Sequence, residues 1–314
     1  MSDRVNLPRV SVVIPTRDRP RSLRRLLESL ARDPSGLAHV DEILVIHSGA
    51  RDTSHAFDVP GLPLRHVAEP RAGVAVARNR GLAEARAPFL IWYDDDVEVT
   101  PGNIDAFLQA AMAAPSASFF AGRSEARFEA EPPAWVSDLM AIAPWIYAQL
   151  DLGEGPIQFD KTRDELPFGC NMAMWADAVR GVQFREDLGR GADLGQAWRG
   201  HQVGGEETVF FRELIDADAI GVWVPDAHVL HWNTASRMEL SHVRRHFFGH
   251  GVEIALTGRA RVRRYESWRI FRERVEYGWS RLLGRRPRWV RLLMNIQIRR
   301  GRRVGLRLAR RRGL

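Results

Sequence analysis

Short apolar runs alternate with segments of helical periodicity through the first third of the chain. Residues 10–14 form one such run, and after a polar stretch Leu23, Leu26, Leu27 and Leu30 recur at helical spacing. The pattern predicts strand, loop, helix. Residues 43–46 and 64–67 predict two further strands, 74–85 a helix and 89–93 a fourth strand. Thr100 as cap and Pro101 in the first turn predict a helix over 104–113. Strands alternating with helices in this way predict a doubly wound, mostly parallel α/β sheet with flanking helices.

The pattern loosens after that. Residues 128–166 are rich in Pro, Trp and acidic side chains without a clear period, which predicts a loop-dominated region with one or two short helices. Beyond it come a short strand over 168–174, a helix over 206–214, a strand over 222–224 and a helix over 240–256.

Charge is unevenly distributed. The net charge of the 314 residues is +7, yet twelve arginines and no acid lie from Arg285 to Leu314. The rest of the chain has thirty-four basic against thirty-nine acidic residues, a balance of −5. A basic tail suits an anionic partner, either lipid headgroups or nucleic acid. Trp289, Val290, Leu292, Leu293, Met294, Ile296 and Ile298 are interleaved with the arginines. That apolar content argues against a nucleic-acid arm and predicts an amphipathic helix on an anionic membrane surface, the alternative being a C-terminal helix docked on the core. One cysteine, Cys170, cannot form a disulfide within the chain. Met1-Ser2-Asp3-Arg4 is not followed by an apolar run, and nowhere are eighteen consecutive residues apolar. The expectation is a cytoplasmic protein, peripheral on the inner face of the cell membrane.

The chemistry begins where the fourth strand ends, in Asp94-Asp95-Asp96. Three adjacent carboxylates repel one another, and the repulsion is relieved by solvent, by protonation or by a bound cation. Mg²⁺ and Mn²⁺ take hard oxygen ligands of this type, with substrate phosphates completing the shell. Open α/β sheets bind ligands at the carboxyl ends of their strands, where this run falls.

Further elements follow in a fixed order: Val13-Ile14-Pro15-Thr16, Ala77-Arg78-Asn79-Arg80-Gly81, the Asp run, Gly169-Cys170-Asn171-Met172, Gly204-Gly205-Glu206-Glu207, and Pro225-Asp226-Ala227-His228-Val229-Leu230-His231. This ordered set strongly resembles family 2 glycosyltransferases of the GT-A fold, over roughly residues 9–251. The resemblance implies a GT-A domain over 1–258, with a nucleotide-sugar and metal half (9–125) and an acceptor half (126–258), followed by a basic helical extension over 259–314. It also implies inverting transfer from a nucleotide-sugar donor, a UDP-sugar foremost, to a glycan or lipid-linked hydroxyl in polysaccharide biosynthesis, with Mn²⁺ or Mg²⁺ as cofactor. The rival readings are a non-catalytic nucleotide-sugar-binding scaffold and a nucleotidyltransferase. The latter would be expected to carry a Gly-rich, Lys-containing first loop, whereas Lys161 is the sole lysine.

Carried over residue by residue, the resemblance assigns Asp94 and Asp96 to the metal, with Asp94 reaching the donor as well and Asp95 assisting locally. His231 matches the family's late histidine ligand; strand alternation puts His228 on the other face. Glu206-Glu207 stands where the family has a Glu-Asp pair, and Glu207 is the expected base, with Glu206 the alternative. Pro15, Thr16, Arg17, His47, Asp52, Gly73, Arg78 and Asn79 are expected around the donor. His47 stands where many relatives have an Asp contacting the base, a departure that bears on uridine recognition. Asn171, Gly205 and Trp198 are expected on the acceptor side. Trp175 and Trp232 are further candidate platforms for a sugar's apolar face.

Overall fold

A computed structural model describes residues 7–53, 56–163, 165–191, 203–259 and 266–312. In chain order its elements are β1 (Val10–Thr16), α1 (Pro20–Ala31), α2 (Pro34–Leu37), β2 (Val40–Ser48), β3 (Leu64–Glu69), α3 (Val74–Glu84), β4 (Phe89–Tyr93), β5 (Val97–Val99), α4 (Asn103–Ala113), β6 (Phe119–Phe128), α5 (Ala134–Met140), β7 (Gln158–Phe159), β8 (Asn171–Trp175), α6 (Glu206–Asp216), β9 (Gly221–Asn233), α7 (Leu240–Leu256), α8 (Glu266–Leu282) and α9 (Arg286–Arg312). They divide into two compact units. One comprises Met1–Arg127, Ala148–Glu186 and Glu206–Trp232; the other comprises Phe128–Tyr147, Asp187–Gly205 and Asn233–Leu314.

The first unit is built on the sheet. Among the described residues it has nine strands, ordered β3-β2-β1-β4-β8-β6-β9-β5, with β7 pairing β9. β3, β2, β1 and β4 are mutually parallel, as the alternating pattern predicts, while β8 runs antiparallel to β4 and β5 antiparallel to β9. β1 and β4 are buried along their whole length, so their continuous apolar runs serve both faces at once. Val12 and Ile14 enter the core that receives Leu23, Leu26, Leu27 and Leu30 of α1. Val13, one position out of phase, packs with Leu44, Trp92, Phe210 and Phe211 on the opposite face. Each such side chain contributes about 1.5–3 kcal/mol by leaving water. On α3, a Cβ at Gly81 would lie 2.6 Å from a Val13 methyl, so glycine lets the helix lie close on the sheet.

Two strands exceed what periodicity suggested. β6 had no strand prediction, and β9 spans thirteen residues where three were expected. The polar pair Pro225-Asp226 interrupts the apolar run in β9, and its pairing with β5 and β7 carries the strand through.

The second unit is helical where it is best defined. α7 and α9 pack along their lengths, and α8 packs on α9. A Cβ at Gly251 of α7 would overlap the Ile298 carbonyl of α9, and one at Gly301 would overlap the Phe248 carbonyl. Glycine at both positions therefore brings the two backbones together. Trp289, Val290, Leu292, Leu293 and Ile296 of α9 are buried. Trp289 meets Trp135 of α5 at 6.3 Å between ring centroids. This corrects the expectation that these residues insert into a membrane: they are already desolvated within the protein. α9 is the docked alternative. Among the described residues no helix is long and apolar enough to cross a membrane.

Candidate active site

Parallel pairing brings the functional loops to one edge of the first unit. Thr16 lies opposite His47, and Val13 opposite Trp92, so β1, β2 and β4 end side by side. Thr16 Oγ1 donates to Asp95 Oδ2 at 2.7 Å, and Arg19 Nη1 donates to Asp95 Oδ1 and to Asp96 Oδ2, each at 3.0 Å. Burial and the neighbouring Asp96 charge push the Asp95 carboxyl up to about 6, against the opposing effect of Arg19. Burial alone would lower the Arg19 pKa; Asp95, Asp96 and Asp94 outweigh it and raise it. Arg19 is thus a built-in counter-charge for the Asp run. Sequence reasoning missed it, although its place in the loop after β1 was the available signal.

Antiparallel pairing delivers the histidine. Val97 lies opposite His231, and Trp232 N donates to the Asp96 carbonyl at 2.9 Å. His231 Nε2 comes within 3.2 Å of Asp96 Oδ1. Asp94, Asp96 and His231 present ligand atoms within 4.8 Å of one another, the one such group among the described residues. His228 lies instead against Glu125, at 3.4 Å. Two carboxylates with an imidazole, two of the three side chains buried, fit a divalent cation, and the nitrogen ligand suits Mn²⁺ better than Mg²⁺.

Arg78 ties this edge to the carboxylate pair at the start of α6. It is 2% exposed and donates through Nη2 to Asp94 Oδ1 at 3.0 Å and through Nη1 to Glu206 Oε1 at 2.8 Å; Glu207 Oε2 lies 3.9 Å away. Burial would lower its pKa, and the charges of Asp94, Glu206 and Glu207 raise it instead. Desolvation, followed by the Glu206 charge, holds the Glu207 carboxyl well above the usual range, with Arg78 opposing. Glu206 Oε2 and Glu207 Oε2 are buried and accept no hydrogen bond among the described residues. Gly169 makes room for Arg78, since a Cβ there would overlap the guanidinium. Gly169→Ala is expected to cost about 1–3 kcal/mol as overpacking and to slow turnover by displacing Arg78. Urea unfolding with initial rates on the same variant checks both; wild-type stability together with wild-type rates would remove Gly169 from this role.

The remaining expected donor residues separate into open and committed groups. Pro15 is buried, whereas Arg17 and Asp52 are exposed. Arg17 lies beside Gly49 and pairs with Asp18 at 3.8 Å. His47 is buried, with Nε2 at 2.9 Å from His66 Nδ1. Gly73 receives the end of β2: its N–H donates to Ser48 Oγ at 2.9 Å, at a φ of 141°. The Asn79 amide is engaged by the Phe184 backbone, donating to the carbonyl at 2.9 Å and accepting from the N–H at 2.8 Å, so it anchors that segment.

Asn171, expected against the acceptor, is 1% exposed, and its Nδ2 donates to the carbonyls of Arg123 at 2.8 Å and Ala227 at 2.7 Å. It cross-links the sheet and has no donor left for a ligand. Trp175 packs edge-on against Phe89 at 4.9 Å, and Trp232 stacks under Arg25 and donates to Glu98. Trp198 lies outside the described residues. Gly205 has a φ of 93°, and a Cβ there would overlap Glu253, so both backbone and neighbour require glycine.

With this geometry in hand, the comparisons with known proteins are informative. The chain resembles the pre-mycofactocin glycosyltransferase of Mycobacterium tuberculosis at 29% identity over 196 residues, covering 60% of this chain and 38% of that protein. It matches the validoxylamine A glucosyltransferase of Streptomyces hygroscopicus at 36% over 118 residues, 35% of this chain and 27% of that one. The chain therefore spans less than half the length of either. Crystal structures of S. aureus TarS (TM-score 0.52, 14% identity, 78% of this chain and 39% of that one) and of GalNAc-T7 with UDP, GalNAc and Mn²⁺ (0.51, 14%, 86% and 54%) share the fold, in agreement with the GT-A expectation. The family model described as "Glycosyl transferase family 2" matches residues 11–179, which carry the Asp run, Arg78 and Gly169. With more than half its length matched by that model, the chain belongs to glycosyl transferase family 2.

Proposed function

We propose that this glycosyltransferase is metal-dependent and inverting, moving a sugar from a nucleotide-sugar donor, a UDP-sugar foremost, to a hydroxyl of a glycan or lipid-linked acceptor at the inner face of the membrane. The observation that carries the reading is the single buried arginine bridging Asp94 of the metal-type cluster and Glu206 of the carboxylate pair, at 3.0 and 2.8 Å. It joins a site for a leaving diphosphate to a site for a base.

Asp94, Asp96 and His231 would hold the cation, which when bound supplies Lewis-acid neutralisation of the departing diphosphate's charge. Arg17, exposed in the loop after β1 and paired with Asp18 at 3.8 Å, would meet a donor phosphate; Arg19 keeps the carboxylates compensated. Glu207 takes the acceptor proton. Its partner Glu206 is committed to Arg78, whereas Glu207 stands 3.9 Å off and is a quarter exposed. A raised pKa makes the ionised carboxylate the stronger base. The fold neighbour crystallised with UDP, GalNAc and Mn²⁺ supports a nucleotide and a divalent cation in a protein of this fold.

The test is thermal shift with a panel of nucleotide sugars, with and without Mn²⁺. A ligand that binds only the native state at a hundred times its Kd adds about 2.7 kcal/mol. Stabilisation is expected only with nucleotide sugar and Mn²⁺ together, and to vanish in Asp96→Asn. A shift of equal size without Mn²⁺, or one retained by Asp96→Asn, would overturn the metal-dependent reading.

A further inference from the structure

The helix α8 turns its apolar side outward. The side that meets α9 carries Ile270, Glu273, Tyr277 and Ser280; Glu273 and Ser280 are buried, and Glu273 accepts from Arg299 Nε at 3.1 Å. The opposite side carries Trp268, Phe271, Val275, Trp279 and Leu282, which are 59, 66, 48, 62 and 77% exposed. At helical spacing these five fall in one stripe, and Leu283, 59% exposed, continues it past the last turn. Single exposed apolar residues are ordinary, but a contiguous stripe containing two tryptophans and a phenylalanine marks a surface that something covers.

The charge around the stripe indicates what covers it. Arg272, Arg285 and Arg288 line the groove along the stripe, and Arg272 lies over the Trp268 ring at 5.3 Å. Arg274 is exposed as well, while Arg281 lies over the Trp289 ring at 5.8 Å and Arg286 pairs with Asp138 at 4.0 Å. Two acids of this stretch are compensated within the protein, Glu273 by Arg299 and Glu276 by Arg288. An apolar stripe inside an arginine rim matches the boundary between acyl chains and anionic headgroups. A second copy related by a two-fold axis would set the same arginine rim against itself, which charge disfavours.

We infer that the outward face of α8 docks on an anionic lipid bilayer. Trp268, Phe271, Trp279 and Leu282 enter the headgroup–acyl boundary, and Arg272 and Arg285 lie among the phosphates. This deepens the membrane placement proposed above and moves it from α9, whose apolar residues are buried, to α8. It rests on that placement, but its test uses neither donor nor acceptor, so its failure leaves the reading of the transferase site standing.

The experiment is co-sedimentation of the full chain with phosphatidylglycerol-rich and with pure phosphatidylcholine vesicles at low and high salt, alongside sedimentation velocity without lipid. The native chain is expected to bind the anionic vesicles and to retain part of that binding at high salt through the apolar stripe. Trp268→Ser/Phe271→Ser/Trp279→Ser is expected to keep the native melting temperature, because the three side chains face solvent, and to lose the salt-resistant binding. Arg272→Ala/Arg285→Ala is expected to weaken binding about fivefold per charge at low salt, the equivalent of about 1 kcal/mol each. Quenching of tryptophan fluorescence by brominated lipid is expected in the native chain and reduced in Phe271→Glu, a single change that tests insertion independently of the triple variant. Undiminished salt-resistant binding by the triple variant overturns the inference. So does a lipid-free dimer that the triple variant abolishes in a chain that does not bind vesicles, since the face would then belong to a second copy.

Discussion

Glu207→Gln is expected to lower the transfer rate by about 10²-fold or more, the scale of general-base removal, while donor affinity stays near that of the native enzyme. The substitution keeps the size of the side chain and removes only its ability to accept a proton. Glu207 carries no hydrogen bond at Oε2 among the described residues, so the fold gives up little. Burial and the Glu206 charge raise its pKa, with Arg78 pulling the other way. A base must be ionised to act, so the rate should rise with pH along a limb above the ordinary glutamate value of about 4.3. That limb should be absent from the residual activity of Glu207→Gln. Initial rates across pH, with donor affinity measured separately, check both parts. If Glu206→Gln is inactive while Glu207→Gln keeps its rate, the two roles are exchanged.

Arg78→Met should have the other large effect, a loss of about 3–5 kcal/mol of stability, the usual cost of leaving buried charges without their partner. Arg78 and Glu206 are both buried, and the same guanidinium serves Asp94. Arg78→Lys should rescue little, since one ammonium cannot reproduce a fork that donates through two nitrogens to two carboxylates. Adding Glu206→Gln to Arg78→Met should recover part of the stability by removing one stranded charge. Activity should stay low, because Asp94 still lacks its counter-ion. In whatever rate remains, the acid limb should move to higher pH, since Arg78 lowers the Glu207 pKa. Urea titrations of the single and double variants give the coupling; additive losses would show that Arg78 and Glu206 act independently.

Much of this chain was legible before any coordinates. The apolar runs that became β1, β2 and β4 needed only period and length, because a strand buried on both faces must be apolar along most of its length. The Asp run was legible because adjacent carboxylates carry an electrostatic requirement wherever they sit, and Glu206-Glu207 because paired acids after two glycines are chemically conspicuous. What the sequence could not disclose was partnership. Arg78 meets Glu206 across 128 positions, and Thr16 meets Asp95 across 79, contacts that exist only once the strand register is set. Arg19 looked like one basic residue among many until the ends of β1 and β4 were brought together. Asn171 has the chemistry of a ligand contact, and only the closeness of β6 and β9 consumes its amide. Periodicity likewise showed that the C-terminal segment has an apolar side without showing what covers it. Glycines at 251 and 301 let α9 bury that side against α7, while α8 meets α9 through Glu273 and Ser280 and leaves its own apolar side outward. A linear pattern records which residues avoid water; which surface takes them out of it is decided by how closely the backbones can approach.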